Sequence, residues 1–166
     1  MNYGKNLVQA VNLAENSSVQ LSTEPYYYSL HKLTTNGEII FSHLKGRFKV
    51  YLVQGSLTVN DKYRLGHEGA ALSLSGELKK INSFQSASIF LVVGIVDSAE
   101  LTLEPVTHSP QSLKTVNKPW GYEIWLPDEK YCLKKIIIKQ GHRTSLQYHQ
   151  KKRETNLIYQ GRVRLH

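Results

Sequence analysis

From residue 21 onward, apolar positions alternate with polar ones over short spans, and glycine, asparagine or aspartate interrupts them at close intervals. Alternation of this kind marks a strand with one face buried. It predicts strands over 26–33, 38–44, 48–53, 56–59, 70–74, 78–84, 88–96 and 101–103. The breaks fall at Thr35-Asn36-Gly37, Lys45-Gly46, Gln54-Gly55, Asn60-Asp61 and Ser75-Gly76-Glu77, residues with the chemistry of turns. No stretch carries a sustained helical period, so the pattern predicts an all-β sandwich or barrel. In residues 1–20, Leu7, Val8, Val11 and Ala14 fit one side of a short helix, and an edge strand fits nearly as well.

Residues 106–117 hold Pro110 and several Ser and Thr residues and read as a linker. A second unit opens at Lys118-Pro119-Trp120-Gly121, with strands over 122–126 and 132–138 around the turn Pro127-Asp128-Glu129-Lys130. A hairpin over 144–149 and 155–159 follows, and a further strand begins at Arg162. Side chains two apart on a strand share a face. Gln147 and His149 therefore point the same way, and Glu154 faces them across the hairpin. An imidazole, a carboxylate and an amide oxygen converging on one point suit Zn, Mn, Fe, Co or Ni. The same pair, His149 and Glu154, is otherwise an ordinary cross-strand contact worth under about 1 kcal/mol. The two units echo each other. Gly37 precedes His43 by six residues and Gly141 precedes Gln147 by six, while Gly55 and Gly161 each lead into a similar short run.

Composition narrows the classes. The chain has 166 residues, 40% hydrophobic and 10% aromatic, which is enough for one full core and part of another. The longest apolar run, 88–96, is strand length and far short of a membrane helix. The N-terminus lacks the apolar block of a signal peptide, and the single cysteine, Cys132, excludes an internal disulfide; both fit a cytoplasmic home. The formal charge of +8 favours anionic partners. The lysines are dispersed, with one dense cluster at 151–153 and no nucleic-acid-binding motif beside it, so a small anion is expected rather than nucleic acid.

The residues Gly141, Gln147, His149, Glu154 and Gly161 stand in the frame of the first cupin motif, with Gln147 in place of its first histidine. The sequence thus resembles the cupin superfamily. Residues 118–166 resemble the cupin domain of type II mannose-6-phosphate isomerases, which pairs with mannose-1-phosphate guanylyltransferase. The likeness rests on Lys118-Pro119-Trp120-Gly121, Lys134, Gly141 and Ser145-Leu146-Gln147-Tyr148-His149. Gln140 departs from the family's proline and Lys151-Lys152 from its His-Arg pair, and the second cupin motif, source of a fourth ligand, has no counterpart before His166. Residues 21–105 look like a degraded cupin barrel. Gly37 and His43 stand at the start of its first motif, Lys45 stands for its second histidine, and Ser75 and Lys80 occupy its second motif. Lysines there would repel a cation.

The resemblance implies a cupin-type double-stranded β-helix (jelly roll), bicupin-like in arrangement. An N-terminal arm or short helix (1–20) precedes a complete, metal-free barrel (21–105), a linker (106–117) and a partial C-terminal cupin domain (118–166). It implies a divalent metal on Gln147, His149 and Glu154, and a sugar phosphate held by Lys134, Arg143, Lys118 and Trp120. Lys134 lies in phase with Ile136 and Ile138, so it faces a barrel or stands at its mouth, where it would meet phosphate or sugar oxygens. Arg143 would clamp a phosphate or simply lie on the surface. Trp120, Tyr122 and Trp125 would stack on a sugar ring or pack in the core. The implied reaction is interconversion of mannose 6-phosphate and fructose 6-phosphate, with no base assigned. The alternatives are a non-catalytic bicupin that binds a sugar or small anion, and a structural dimerisation barrel. An open half-barrel exposes a sheet edge, so a homodimer is expected.

Overall fold

The computed structural model describes residues 13–20, 24–97, 103–145 and 154–164. The first sheet contains β1 (Ser17–Gln20), β2 (Tyr26–Leu33), β3 (Glu38–Gln54), β4 (Leu57–Val59), β5 (Tyr63–Leu65), β6 (Ala71–Ser83), β7 (Ser88–Val96) and β8 (Val106–His108). Its strand order is β1-β2-β7-β3-β6-β4-β5, with β8 added to β6, and every pairing is antiparallel. A 3-10 turn at Pro110–Ser112 leads to a second sheet, β11-β10-β9, built from β9 (Lys114–Lys118), β10 (Gly121–Pro127) and β11 (Cys132–Ile138). The described residues contain no α-helix, and no helix long and apolar enough to cross a membrane.

The long strands correct the expected turns. Two strands and a turn at Lys45-Gly46 are one continuous β3 of 17 residues. Likewise, β6 runs straight through Ser75-Gly76-Glu77 for 13 residues. At about 3.3 Å per residue, β3 would extend roughly 55 Å if flat, too far for so small a core, so the sheet must fold over. The corner is where Gly46 stands opposite Gly76. Both have positive φ, +154° and +132°, and a Cβ on Gly46 would lie 2.0 Å from the Ile95 carbonyl oxygen. Glycine inside a strand here marks a sharp corner and a close backbone approach, not a strand end.

A bulge in β3 sets which side chains face inward. The pairing with β6 shifts between Ile40 and Leu44, and His43 takes φ +58°. Four steps along β3 there match two along β6, and the inward-facing positions change phase across the irregularity. Ile39 and Phe41 contact the core before the bulge, whereas Leu44, Phe48, Val50 and Leu52 contact it afterwards. Phe48, Phe90, Leu52, Leu57, Leu72, Leu78 and Ile81 fill the interior of the curled sheet. The opposite face of β3 and β7, through Tyr51, Val53, Ile89 and Leu91, packs with Leu113, Ile124, Leu126 and Leu133 in a second apolar layer. The three-stranded sheet therefore covers the outside of the first sheet.

Other differences are local. Within 106–117, read above as a linker, the structure has β8 on the first sheet and β9 on the second. The expected strand over 101–103 is not seen at Leu103, and its other two residues lie outside the described ones. The hairpin expected over 144–159 is also corrected. Residues 142–145 and 154–159 are coil, and 146–153 lie outside the described residues. A two-stranded ribbon is marginal without a third strand or a packed face, and Thr155 to Tyr159 has no strand beside it among the described residues.

Candidate functional site

Alternation along β10 and β11 puts Ile124, Leu126 and Leu133 against the first sheet and turns Glu123, Trp125 and Lys134 to the far side. On that far face β9 and β11 flank Trp125 with lysines, because Trp125 is in register with Lys114 on one side and Lys134 on the other. The Lys134 ammonium lies 4.2 Å from the indole centroid and that of Lys114 lies 5.1 Å away. Each is a cation-π contact, favourable by about 0.5–1 kcal/mol where solvent reaches it. The Trp125 Nε1–H donates to Glu123 Oε2 at 2.6 Å, and Lys134 Nζ is 3.5 Å from the same oxygen. Glu123 is buried at 8% exposure, so its carboxylate is held between an indole N–H and an ammonium. The result is an aromatic plane with two cations and one fixed acceptor, a set able to contact an anionic sugar through charge and hydroxyl hydrogen bonds.

The implied substrate residues do not all meet there. Lys134 belongs to the cluster. Lys118 and Trp120 sit at the β9–β10 turn, where Lys118 pairs with Gly121 and Trp120 accepts the Lys139 N–H. Register places that end four residues along the strand from Trp125, roughly 13 Å away. Arg143 lies in exposed coil after β11. Of the implied metal ligands, Gln147 and His149 lie outside the described residues, while Glu154 is in exposed coil. Among the described residues no three His, Cys, Asp or Glu side chains group as a metal site.

A second cluster, between the sheets, was not foreseen. Lys49 and Arg47 face outward from β3 and meet the β10–β11 turn. Lys49 Nζ is 3.3 Å from Asp128 Oδ2, Arg47 Nη1 is 3.6 Å from Asp128 Oδ1, and Arg47 also donates to Glu129 at 2.9 Å. Tyr131, in the same turn, donates to the Arg47 carbonyl at 3.2 Å, and burial raises its phenol pKa. Lys49, only 6% exposed, also donates to Ser73 Oγ at 3.0 Å, and Ser73 Oγ lies 2.8 Å from His108 Nε2. An ammonium only donates, so the serine hydroxyl proton is free to point at His108. Neutral His108 then carries its own proton on Nδ1. Its pKa is lowered, by burial first and by the nearby Lys49 charge second. The sequence held a signal for the far-face cluster, since Glu123 and Trp125 are two apart, but none for Lys49, Ser73 and His108, which come from three distant strands.

The residues of 21–105 set above against the cupin motifs also have defined places. His43 is exposed on the bulge. Lys80 Nζ lies 2.9 Å from Asp61 and 3.6 Å from Glu38 at the surface. The imidazole inside the barrel is His31, 2% exposed, stacked on Phe90 at 4.8 Å and bonded to Ser29 Oγ at 2.6 Å. Burial drives its pKa down to about 4, which keeps it neutral.

No protein-family model matches the chain, and no curated protein matches it. Solved structures do. The protein Ylba from E. coli superposes with a TM-score of 0.50 at 17% identity, over 75% of this chain and 56% of Ylba, so the chain spans little more than half of that protein. A conserved protein of unknown function from Streptococcus pyogenes matches 60% of this chain and 98% of its own, at 18% identity and a TM-score of 0.43. A cupin superfamily protein from Desulfitobacterium hafniense matches 56% and 97%, at 17% identity and 0.43. At these identities the likeness is one of fold. The described residues are all-β and built of antiparallel sheets, the architecture over which the chain superposes on Ylba.

Proposed function

We propose that the protein is a cupin-fold relative of the metal-dependent sugar-phosphate isomerases, and that it binds a sugar phosphate on the far face of the β9–β11 sheet. The observation that carries this reading is the Lys114–Trp125–Lys134 stack with Glu123 bonded to the indole. The two ammonium groups suit a phosphate, and Glu123 suits a sugar hydroxyl. The likeness of 118–166 to the isomerase cupin domain supplies the ligand class. The donor chemistry of Gln147, His149 and Glu154 fits a first-row divalent ion, which when bound would polarise a sugar carbonyl oxygen. In the same reading a homodimer covers the β11 edge and the exposed Ile136 and Ile138.

Two measurements test it. Mannose 6-phosphate titrated against the native protein and Lys134→Gln is expected to bind about tenfold more weakly to the variant, the effect of one charge-assisted contact. Metal analysis is expected to find stoichiometric metal that is lost in His149→Ala, with interconversion of mannose 6-phosphate and fructose 6-phosphate by the loaded native protein. Binding without metal or turnover would favour a non-catalytic anion-binding protein. Absence of both binding and metal would leave only a structural role.

A further inference from the structure

Two cavities meet at His108 on the outer surface of the first sheet. One, of about 380 Å³, is lined by Arg64, His67, His108 and Gln111 among others. The other, of about 350 Å³, opens between the sheets and is lined by Lys49, Ser73, His108, Lys114 and Trp125 among others. Each falls at the small end of the range for small-molecule sites. Among the described residues no carboxylate lines either cavity. Asp128 is paired with Lys49 and Arg47, and Glu68 with Lys135 at 3.5 Å. Among the described residues, Arg64 and Lys114 pair with no carboxylate. Each lies over an aromatic ring instead, Arg64 at 5.7 Å from Phe84 and Lys114 at 5.1 Å from Trp125.

We propose that this groove is a binding site for a small phosphate ester, with the phosphate beside His108 and Arg64 and the organic part toward Trp125. The argument is one of donors. An arginine fork, an imidazole Nδ1–H and a lysine stand along one groove with no acceptor of their own charge type, and phosphate offers several acceptor oxygens to such a set. The serine relay matters too. Lys49 fixes Ser73, and Ser73 occupies His108 Nε2, which leaves the proton on Nδ1 of an imidazole that lines both cavities. The site is made by β3, β6, β8, the loop before β6 and the Lys114 and Trp125 end of the second sheet; it shares Lys114 and Trp125 with the far-face cluster, and its phosphate end at Arg64 and His108 lies outside that cluster.

The experiment is calorimetric titration of the full chain with glycerol 3-phosphate, with glycerol as the neutral control. Arg64 is exposed and lies outside the far-face cluster, so Arg64→Gln removes one charge from the groove without disturbing the core. Binding by the native protein and a loss of about tenfold in Arg64→Gln are expected. Lys62→Gln removes the same charge at an exposed position outside both cavities and is expected to bind within about twofold of native. Absence of binding by the native protein, or equal loss in Arg64→Gln and Lys62→Gln, would overturn the site, the latter showing only diffuse attraction to a basic protein. Loss in Lys134→Gln with Arg64→Gln unchanged would put the phosphate on the far face of the second sheet and overturn the groove, whereas loss in Arg64→Gln supports the groove whatever Lys134→Gln does to mannose 6-phosphate binding, so the two fail separately.

Discussion

The two faces of β3 are made from alternate residues of one strand and do opposite work. Phe48, Val50 and Leu52 point into the curled sheet and pack in its apolar core, while Arg47, Lys49 and Tyr51 point out and meet a turn, a hydroxyl network and a second sheet. The inner face is packed and closed; the outer face holds charge in a partly covered layer. In this chain the inside of the curled first sheet supplies stability, and its outside supplies the polar chemistry.

That contrast breaks most visibly from the inside. Phe90→Ala removes a fully buried ring that stacks on His31, and it is expected to destabilise the protein by about 4 kcal/mol, measured by urea unfolding. On the outer face, Asp128→Ala leaves Arg47 and Lys49 without their shared carboxylate. Both cations are largely buried, so a loss of about 3 kcal/mol is expected in the same assay, close to what stranding a buried charge costs. The smallest effect is pH-dependent and returns to the inner face. His31 titrates near 4 in the folded state and near 6.5 unfolded, so the unfolded chain binds the proton first as pH falls. Its contribution is complete above about pH 6.5 and is lost toward pH 4, amounting to about 2 kcal/mol between pH 7.5 and 5. His31→Phe is expected to flatten that part of the stability–pH curve, and a slope unchanged in the variant would assign it to other groups.

Much of the strand content was legible because alternation survives in any half-buried strand. Leu30, Leu33, Phe48, Val50, Leu52, Phe90 and Val92 lie in predicted strands and are buried. The turns were not equally legible. Gly37 and Gly55 do end strands, but Gly46 and Gly76 sit inside them, and glycine composition is the same in both settings. The difference lies in a partner: a mid-strand glycine is explained only by what approaches it across the sheet, which sequence spacing does not record. The site was legible where it is local. Lys134 was singled out from its phase with Ile136 and Ile138, and it does join a cluster, whereas Lys118 and Trp120 share its sheet but not its end. Ser73 and His108 were invisible because they meet only through the pairing of β6 with β8.

The glycine corner also decides where this protein has room to change. Because β3 and β6 pass through Gly46 and Gly76 without leaving the sheet, a residue inserted at that corner would have to break the pairing on both sides of it. Spare chain is found instead between β5 and β6, where Gly66 has open space around it and His67 looks into the groove. Variation in length, and with it variation in what is bound, is therefore better absorbed beside Arg64 and His108 than at the glycine corner.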